Sequence, residues 1–313
     1  MKVGVTGGAG FLGGYVVGHL IECGHEPVIF DHLGCRGPYP DVEVMLGDTR
    51  DAVAVTELAA HVEGIIHLAS VLGTQETIKN PRPAAETNLI SALNVYEACS
   101  QYDLACVNIG VGNHWFNNTY SISKSAAERF GFMFATERGL RVNQIRALNA
   151  YGPRQSIASP YGSARVRKIT PAFVCRALTG QPIEVYGDGS QVSAMVWAGD
   201  VADALVTALQ FASKGVVLDR TVEVGPLHST TVRETAELVA RLAADVTGRD
   251  PSPITCLPMR PGERPGDPVV ADTSTLPLIG MHADDLLPLV EGMRRTVAWY
   301  AEHWLPGWLG ERE

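Results

Sequence analysis

Short β-branched runs alternate with longer stretches of helical apolar spacing through the first half of the chain. Strands are predicted at Val3–Thr6, Pro27–Phe30, Val42–Leu46, Gly64–Leu68, Ala105–Ile109 and Val142–Leu148. Between them, helices are predicted around Val16–Ile21 and over Ala52–His61, Pro83–Gln101 and about Ser121–Arg138. Strands and helices that alternate in this way, with a Gly/Pro-rich loop at Gly34–Pro40 in place of one helix, build parallel βαβ units, whose strands are apolar on both faces. Beyond Tyr151 the pattern loosens into loops rich in Gly, Pro and Arg. One strand, Ile183–Tyr186, precedes the turn Gly187–Gly189, and helix Val201–Phe211 is expected to return to the first layer. Thr231–Val246 and Leu286–His303 read as two amphipathic helices.

Composition narrows the function classes. The formal net charge is −9 over 313 residues, and no Lys/Arg run marks a nucleic-acid surface. No apolar stretch approaches the ~18 residues of a membrane span. Residues 1–20 begin on a strand and lack a signal-peptide pattern, and the six cysteines are scattered without a C-x-x-C pair. A cytoplasmic protein with reduced, mostly buried thiols and no metal site is expected.

The first strand runs into Gly7-Gly8-Ala9-Gly10-Phe11-Leu12-Gly13 and then an apolar helix. Gly7 permits a tight turn, Gly10 lets the backbone approach a pyrophosphate, and Gly13 lets helix and strand pack closely. The helix N-terminus offers its partial positive charge to the phosphates. The second strand ends in Asp31, placed to accept hydrogen bonds from adenosine ribose hydroxyls and to repel a 2′-phosphate, so the expected cofactor is NAD.

Tyr120-Ser-Ile-Ser-Lys124 opens the long helix, which puts Tyr120 and Lys124 one turn apart on one face. An ammonium beside a phenol, aided by a positive nicotinamide, is expected to lower the phenol from about 10 toward working pH and make it a general base.

Together these segments resemble the extended short-chain dehydrogenase/reductases, specifically the NAD-dependent sugar-nucleotide epimerase/dehydratase family. The resemblance spans nearly the whole chain. It includes Gly7–Gly13, Gly47-Asp48, His67–Ser70, Glu86-Thr87-Asn88, Tyr120–Lys124, Arg146–Arg154, Val185–Gly189, Gly199–Ala202, Arg260–Glu263, Ala271-Asp272 and Trp299-Tyr300. It implies an α/β fold: a Rossmann-like doubly wound parallel sheet over residues 1–150, with about 190–213 returning to it. Residues 151–313 would form mainly a smaller C-terminal substrate-binding α/β lobe. By the same resemblance Asp48 would hold the adenine amino group, while Thr49, Leu68, Ala69, Ser70 and Asn88 would line the cofactor. Lys124 would hold the nicotinamide ribose. Val111, Gly112, Asn113, His114, Asn149, Arg154, Arg165, Tyr186 and Arg260 would surround the nucleotide sugar. Relatives pair the helices Pro83–Gln101 and Ser121–Arg138 into a dimer, and here Leu89, Leu93, Tyr96, Phe130, Met133 and Phe134 are apolar beyond one core stripe.

Two departures shape the expected reaction. Relatives carry Ser or Thr after the fifth strand, dehydratases an Asp-Glu pair and decarboxylases a Glu, where this chain has Gly110-Val-Gly-Asn-His-Trp115. Without a carboxylate to protonate a leaving hydroxyl, dehydration is disfavoured. Gln191-Val-Ser193 replaces the Arg-Asp that helps clamp a diphosphate, leaving Arg154, Arg165, Arg167 and Lys168 as nearby substitutes. The expected activity is epimerisation of a nucleotide-activated sugar at C4 through a transient keto sugar. Tyr120 acts as base, and Asn113 orients the reacting oxygen, with His114 and Thr119 as alternatives. A dehydratase, decarboxylase or reductase on the same fold, or a non-catalytic NAD-sensing protein, are the competing readings.

Overall fold

The computed structural model describes residues 1–34, 37–73, 76–155, 168–259 and 268–310. Its strands are β1 (Lys2–Thr6), β2 (Glu26–Asp31), β3 (Glu43–Leu46), β4 (Gly64–His67), β5 (Ala105–Val111) and β6 (Val142–Ala147). They continue with β7 (Ile183–Tyr186), β8 (Val192–Ser193), β9 (Val222–Val224), β10 (Thr230–Thr231) and β11 (Ile254–Leu257). Seven of them form one parallel sheet in the order β3-β2-β1-β4-β5-β6-β9. The order reverses between β1 and β4, and in open α/β sheets ligands bind beyond the carboxyl ends of strands at such a switch.

The sheet is apolar on both faces, as a doubly wound fold requires. Val28, Phe30, Ile65 and Cys106 point into one cluster with Leu58, Val95, Tyr96 and Phe134 from the covering helices. On the other parity of the strands, a Cβ on Gly64 would lie 3.3 Å from Leu209 of helix Ala198–Ser213. Local chemistry sets the helix ends. Asp51 Oδ1 accepts from Val53 N at 2.9 Å to start Ala52–His61. Asn118 Oδ1 accepts from Ser121 N at 2.9 Å to start Thr119–Arg138, which stops at left-handed Gly139.

The chain separates into two compact units. The first comprises 1–148, 198–224 and 272–283; the second comprises 149–197, 225–271 and 284–313. The expected return segment of about 190–213 is therefore corrected at both ends. Val192-Ser193 pairs with β10 inside the second unit, whereas β9 extends the large sheet and is followed there by the 3-10 turns Thr273–Ile279. The single helix expected over Pro83–Gln101 is Pro81–Ala85, a π-helical turn Glu86–Ile90, and then Ser91–Gln101. Tyr96 and Phe134, expected at a surface, are core residues. The thiols of Cys99, Cys106 and Cys175 are buried and free, but Cys23 and Cys256 are exposed.

The second unit pairs β7 with β11 in parallel and β8 with β10 antiparallel. Its helices Ile169–Leu178, Val232–Thr247 and Leu289–Trp299 close a core of Tyr151, Phe173, Leu178, Val239, Met293 and Tyr300. A Thr231–Glu234 capping box begins the second of these helices. Among the described residues no helix is long and apolar enough to cross a membrane.

Candidate active site

The glycine turn is tied on both sides. Gly7 N donates to Phe30 O at 2.9 Å, and Ala9 N donates to Asp31 Oδ2 at 3.1 Å. Gly7 adopts φ +70, and a Cβ there would lie 2.9 Å from Ala69 N. A Cβ on Gly13 would lie 2.6 Å from backbone atoms of Gly8. Helix Phe11–Glu22 begins at Gly10, which has no side chain to cap it, so the first-turn N–H groups of Phe11, Leu12 and Gly13 have no such acceptor. Loop, Asp31 and the segment after β4 thus converge at the switch point.

Thr6 organises that convergence. It faces His67 across the β1–β4 register, and its Oγ1 lies 2.7 Å from His67 Nδ1. The same oxygen accepts from Leu68 N at 3.2 Å and Ala69 N at 3.3 Å. Its own proton therefore goes to His67 Nδ1, which places the imidazole proton on Nε2. Burial pushes His67 down to about 3, with Lys124 adding to the shift, so the ring is neutral.

Lys124 and Tyr120 sit where the sequence predicted, on helix Thr119–Arg138. Lys124 is 1 % exposed, and burial lowers it to about 8 against an opposing pull from Glu128. Its Nζ and His67 Nε2 are buried with no hydrogen-bond partner among the described residues. Desolvation pushes the Tyr120 hydroxyl up to about 12 in the protein without nucleotide.

Other predicted residues are held by contacts within the first unit. Asn88 Oδ1 accepts from Val71 N at 2.7 Å, and its Nδ2 donates to Ser123 Oγ at 3.0 Å. It clamps the loop beyond Ser70 to the catalytic helix. Thr49 Oγ1 donates to Ser91 Oγ at 2.7 Å, and its carbonyl accepts from Asn94. Asp48 is held by Arg50, whose Nε donates to Oδ1 and Oδ2 at 3.0 Å and keeps the carboxyl below its usual range.

Beyond Val111 the turn is tight, with Phe116 N donating to Asn113 O at 3.0 Å. A Cβ on Gly112 would meet the Leu148 Cδ1 methyl, which would have to turn aside to admit a Ser or Thr. Ser121 Oγ donates to Asn113 Oδ1 at 3.3 Å, leaving the Asn113 amide N–H groups to donate elsewhere. His114 is anchored by its carbonyl, which accepts from Ser125 Oγ at 2.9 Å.

Asn149, Arg154 and Tyr186 belong to the second unit. Asn149 adopts φ +39 and donates to Ser193 Oγ at 2.7 Å and Ala194 O at 3.0 Å. Ser193, at the second departure, thus holds Asn149. Arg165, Arg167 and Arg260 lie outside the described residues.

Residues 3–225 match the family model described as the NAD dependent epimerase/dehydratase family. The chain belongs to that family. Its members' cofactor, NAD, fits this site: Lys124 Nζ, buried with no partner among the described residues, is what two ribose hydroxyls would satisfy, and the glycine cradle has no room for side chains. A solved UDP-glucose 4-epimerase from Thermus thermophilus, in complex with NAD, is 28% identical with TM-score 0.80, covering 97% of this chain and 100% of that one. A UDP-N-acetyl-alpha-D-glucosaminuronate decarboxylase from Bacillus cytotoxicus is 25% identical over 76% of this chain and 79% of its own. A dTDP-glucose 4,6-dehydratase from Streptomyces antibioticus is 28% identical over 61% and 63% respectively. The family therefore carries three outcomes on one scaffold. Glu128, buried one turn beyond Lys124, went unread in the sequence; the i, i+4 spacing was the available signal.

Proposed function

We propose that the chain is a nucleotide-sugar 4-epimerase working in the cytoplasm through a transient keto sugar. The observation that carries this reading is the turn 112–118. It holds Asn113 beside the catalytic helix and contains no carboxylate to expel a hydroxyl or steer a decarboxylation. NAD, when bound, supplies the acceptor and later the donor of the hydride at the sugar carbon. Tyr120 takes the proton of the reacting sugar hydroxyl and returns it. Lys124 binds the ribose and holds positive charge close to the phenol. Asn113 donates an amide N–H to the reacting oxygen, and Ser121 fixes the orientation of that amide. Arg154, Arg165 and Arg260 bind the nucleotide diphosphate and Tyr186 packs against the nucleobase, while Asn149, whose amide protons go to Ser193 and Ala194, braces the segment leading to Arg154. Two copies pair through exposed Ile90, Ile122, Phe130 and Met133.

Incubation with UDP-glucose and other nucleotide hexoses, without added reductant, should give an isomer of unchanged mass. Loss of water or carbon dioxide refutes epimerisation, and NAD binding without turnover of any sugar supports the sensor instead. Asn113→Ala should lower kcat at least about tenfold while NADH still binds. Survival of activity there, with collapse in Thr119→Val or His114→Ala, moves the orienting role to that residue.

A further inference from the structure

Glu128 lies four residues beyond Lys124, one helical turn along the same face, and is 4 % exposed. Its carboxylate is bonded to Arg146 of β6: Nε donates to Oε2 at 2.8 Å and Nη2 to Oε1 at 2.5 Å. On its far side Arg146 donates from Nη1 to Glu223 of β9 at 2.7 Å. The strand between helix and guanidinium makes room for this carboxylate: a Cβ on Gly110 of β5 would lie 2.7 Å from Glu128 Oε2 and 3.0 Å from Arg146 Cγ. Two strands and a glycine are thus committed to holding one carboxylate a turn away from an ammonium that has no hydrogen-bond partner among the described residues.

We propose that Glu128, clamped by Arg146 and given space by Gly110, is the positioning carboxylate that keeps Lys124 an ammonium ready for the nicotinamide ribose. Arg146 fixes the carboxylate in place and Glu223 engages the other side of that cation, so Glu128 is the member of the triad that acts on Lys124. The remaining titratable groups near Lys124 are His67 on β4, which feels its charge, and Tyr120 one turn back on its own helix. His67 is neutral and offers no countercharge. Without Glu128, burial would act on Lys124 unopposed. This inference rests on the reading of Lys124 as the ribose ligand, but not on which sugar reaction follows.

The test is NADH affinity, followed by fluorescence between pH 6.5 and 10.5, where loss of the Lys124 proton weakens binding. In Glu128→Gln the pH at which affinity begins to fall should move down by roughly one unit, about tenfold in affinity within that window. Glu223→Gln breaks the same ion network on the side away from Lys124 and should leave the transition in place. A folded Glu128→Gln with an unmoved transition overturns the proposal, and so does an equal shift in both variants, which would mark a general effect of the network. If Glu128→Gln does not fold, Glu128→Leu/Arg146→Met removes both buried charges together. A smaller downward shift is expected there, and none overturns the proposal. A shift in protein that turns over no nucleotide sugar sustains the proposal while sinking the epimerase reading.

Discussion

Two neighbouring glycines should respond oppositely to the same methyl group. At Gly13 a Cβ would lie 2.6 Å from the carbonyl carbon and Cα of Gly8, and closer still to Gly7 O. Those are backbone atoms, so no rotamer change can relieve the contact; either the cradle or the helix must move. Overpacking of this kind costs about 1–3 kcal/mol, and the upper end applies because the turn is also tied to Phe30 and Asp31. At Gly14 nothing lies within 4 Å of the added atom. Inside a helix, replacing glycine with alanine there should gain roughly 0.5–1 kcal/mol by restricting the unfolded chain. The two variants should therefore differ by about 1.5–4 kcal/mol, combining these ranges. Urea unfolding followed through the first unit reads the stability, and NADH titration reads the cradle. Gly13→Ala should also bind NADH at least about tenfold more weakly, because a displaced turn misplaces the N–H groups facing the phosphates. Equal midpoints for the two variants, or wild-type NADH affinity in Gly13→Ala, would refute the reasoning.

Lys124→Met should stabilise the nucleotide-free protein near neutral pH by up to about 3 kcal/mol, since a buried ammonium lowered from 10.5 to about 8 is removed. The gain should fade as pH rises from 8 to 10.5, where the folded wild type has shed a proton that the unfolded chain keeps, while NADH binding is lost at every pH. Acidification from 6.5 toward 3 should destabilise the wild type by up to about 1.4 kcal/mol per unit through His67, because only the unfolded chain takes up that proton. In His67→Leu the slope of urea midpoint against pH should be shallower, and an unchanged slope removes His67 from the account. Asp31→Ala should narrow the ratio of NADP to NAD dissociation constants, and a native preference for NADP would contradict the role given to Asp31.

Local pattern located what depends on local pattern. The three glycines, Asp31, and Tyr120 with Lys124 could be placed because each spacing is internal to one strand-turn-helix unit. Pairings between distant segments could not. Thr6 meets His67 only through the β1–β4 register, and Arg146 meets Glu128 and Glu223 only when β6 lies between helix and β9. Asn88 reads as a cofactor ligand in sequence, yet its amide is consumed by Val71 and Ser123. Helices apolar on more than one stripe left open which stripe met the sheet, so Tyr96 and Phe134 were misplaced while Phe130 and Met133 were not. Strand β9 has three residues, too few for alternation to register.

The π turn Glu86–Ile90 makes this helix sensitive to length as well as to composition. An α-helix advances about 100° per residue, and a π turn absorbs one residue more than its neighbours without breaking the axis. Here that surplus sets the rotational phase between Pro81–Ala85 and Ser91–Gln101, so that buried Ala84 and Asn88 both face inward. Deleting Leu89 would let the ladder close with α-helical spacing and swing everything on one side of the cut by about 100°. Asn88 would then turn away from Val71 and Ser123 although no contact residue had been replaced. Single-residue deletions, usually harmless in surface loops, should therefore be tolerated poorly across Glu86–Ile90.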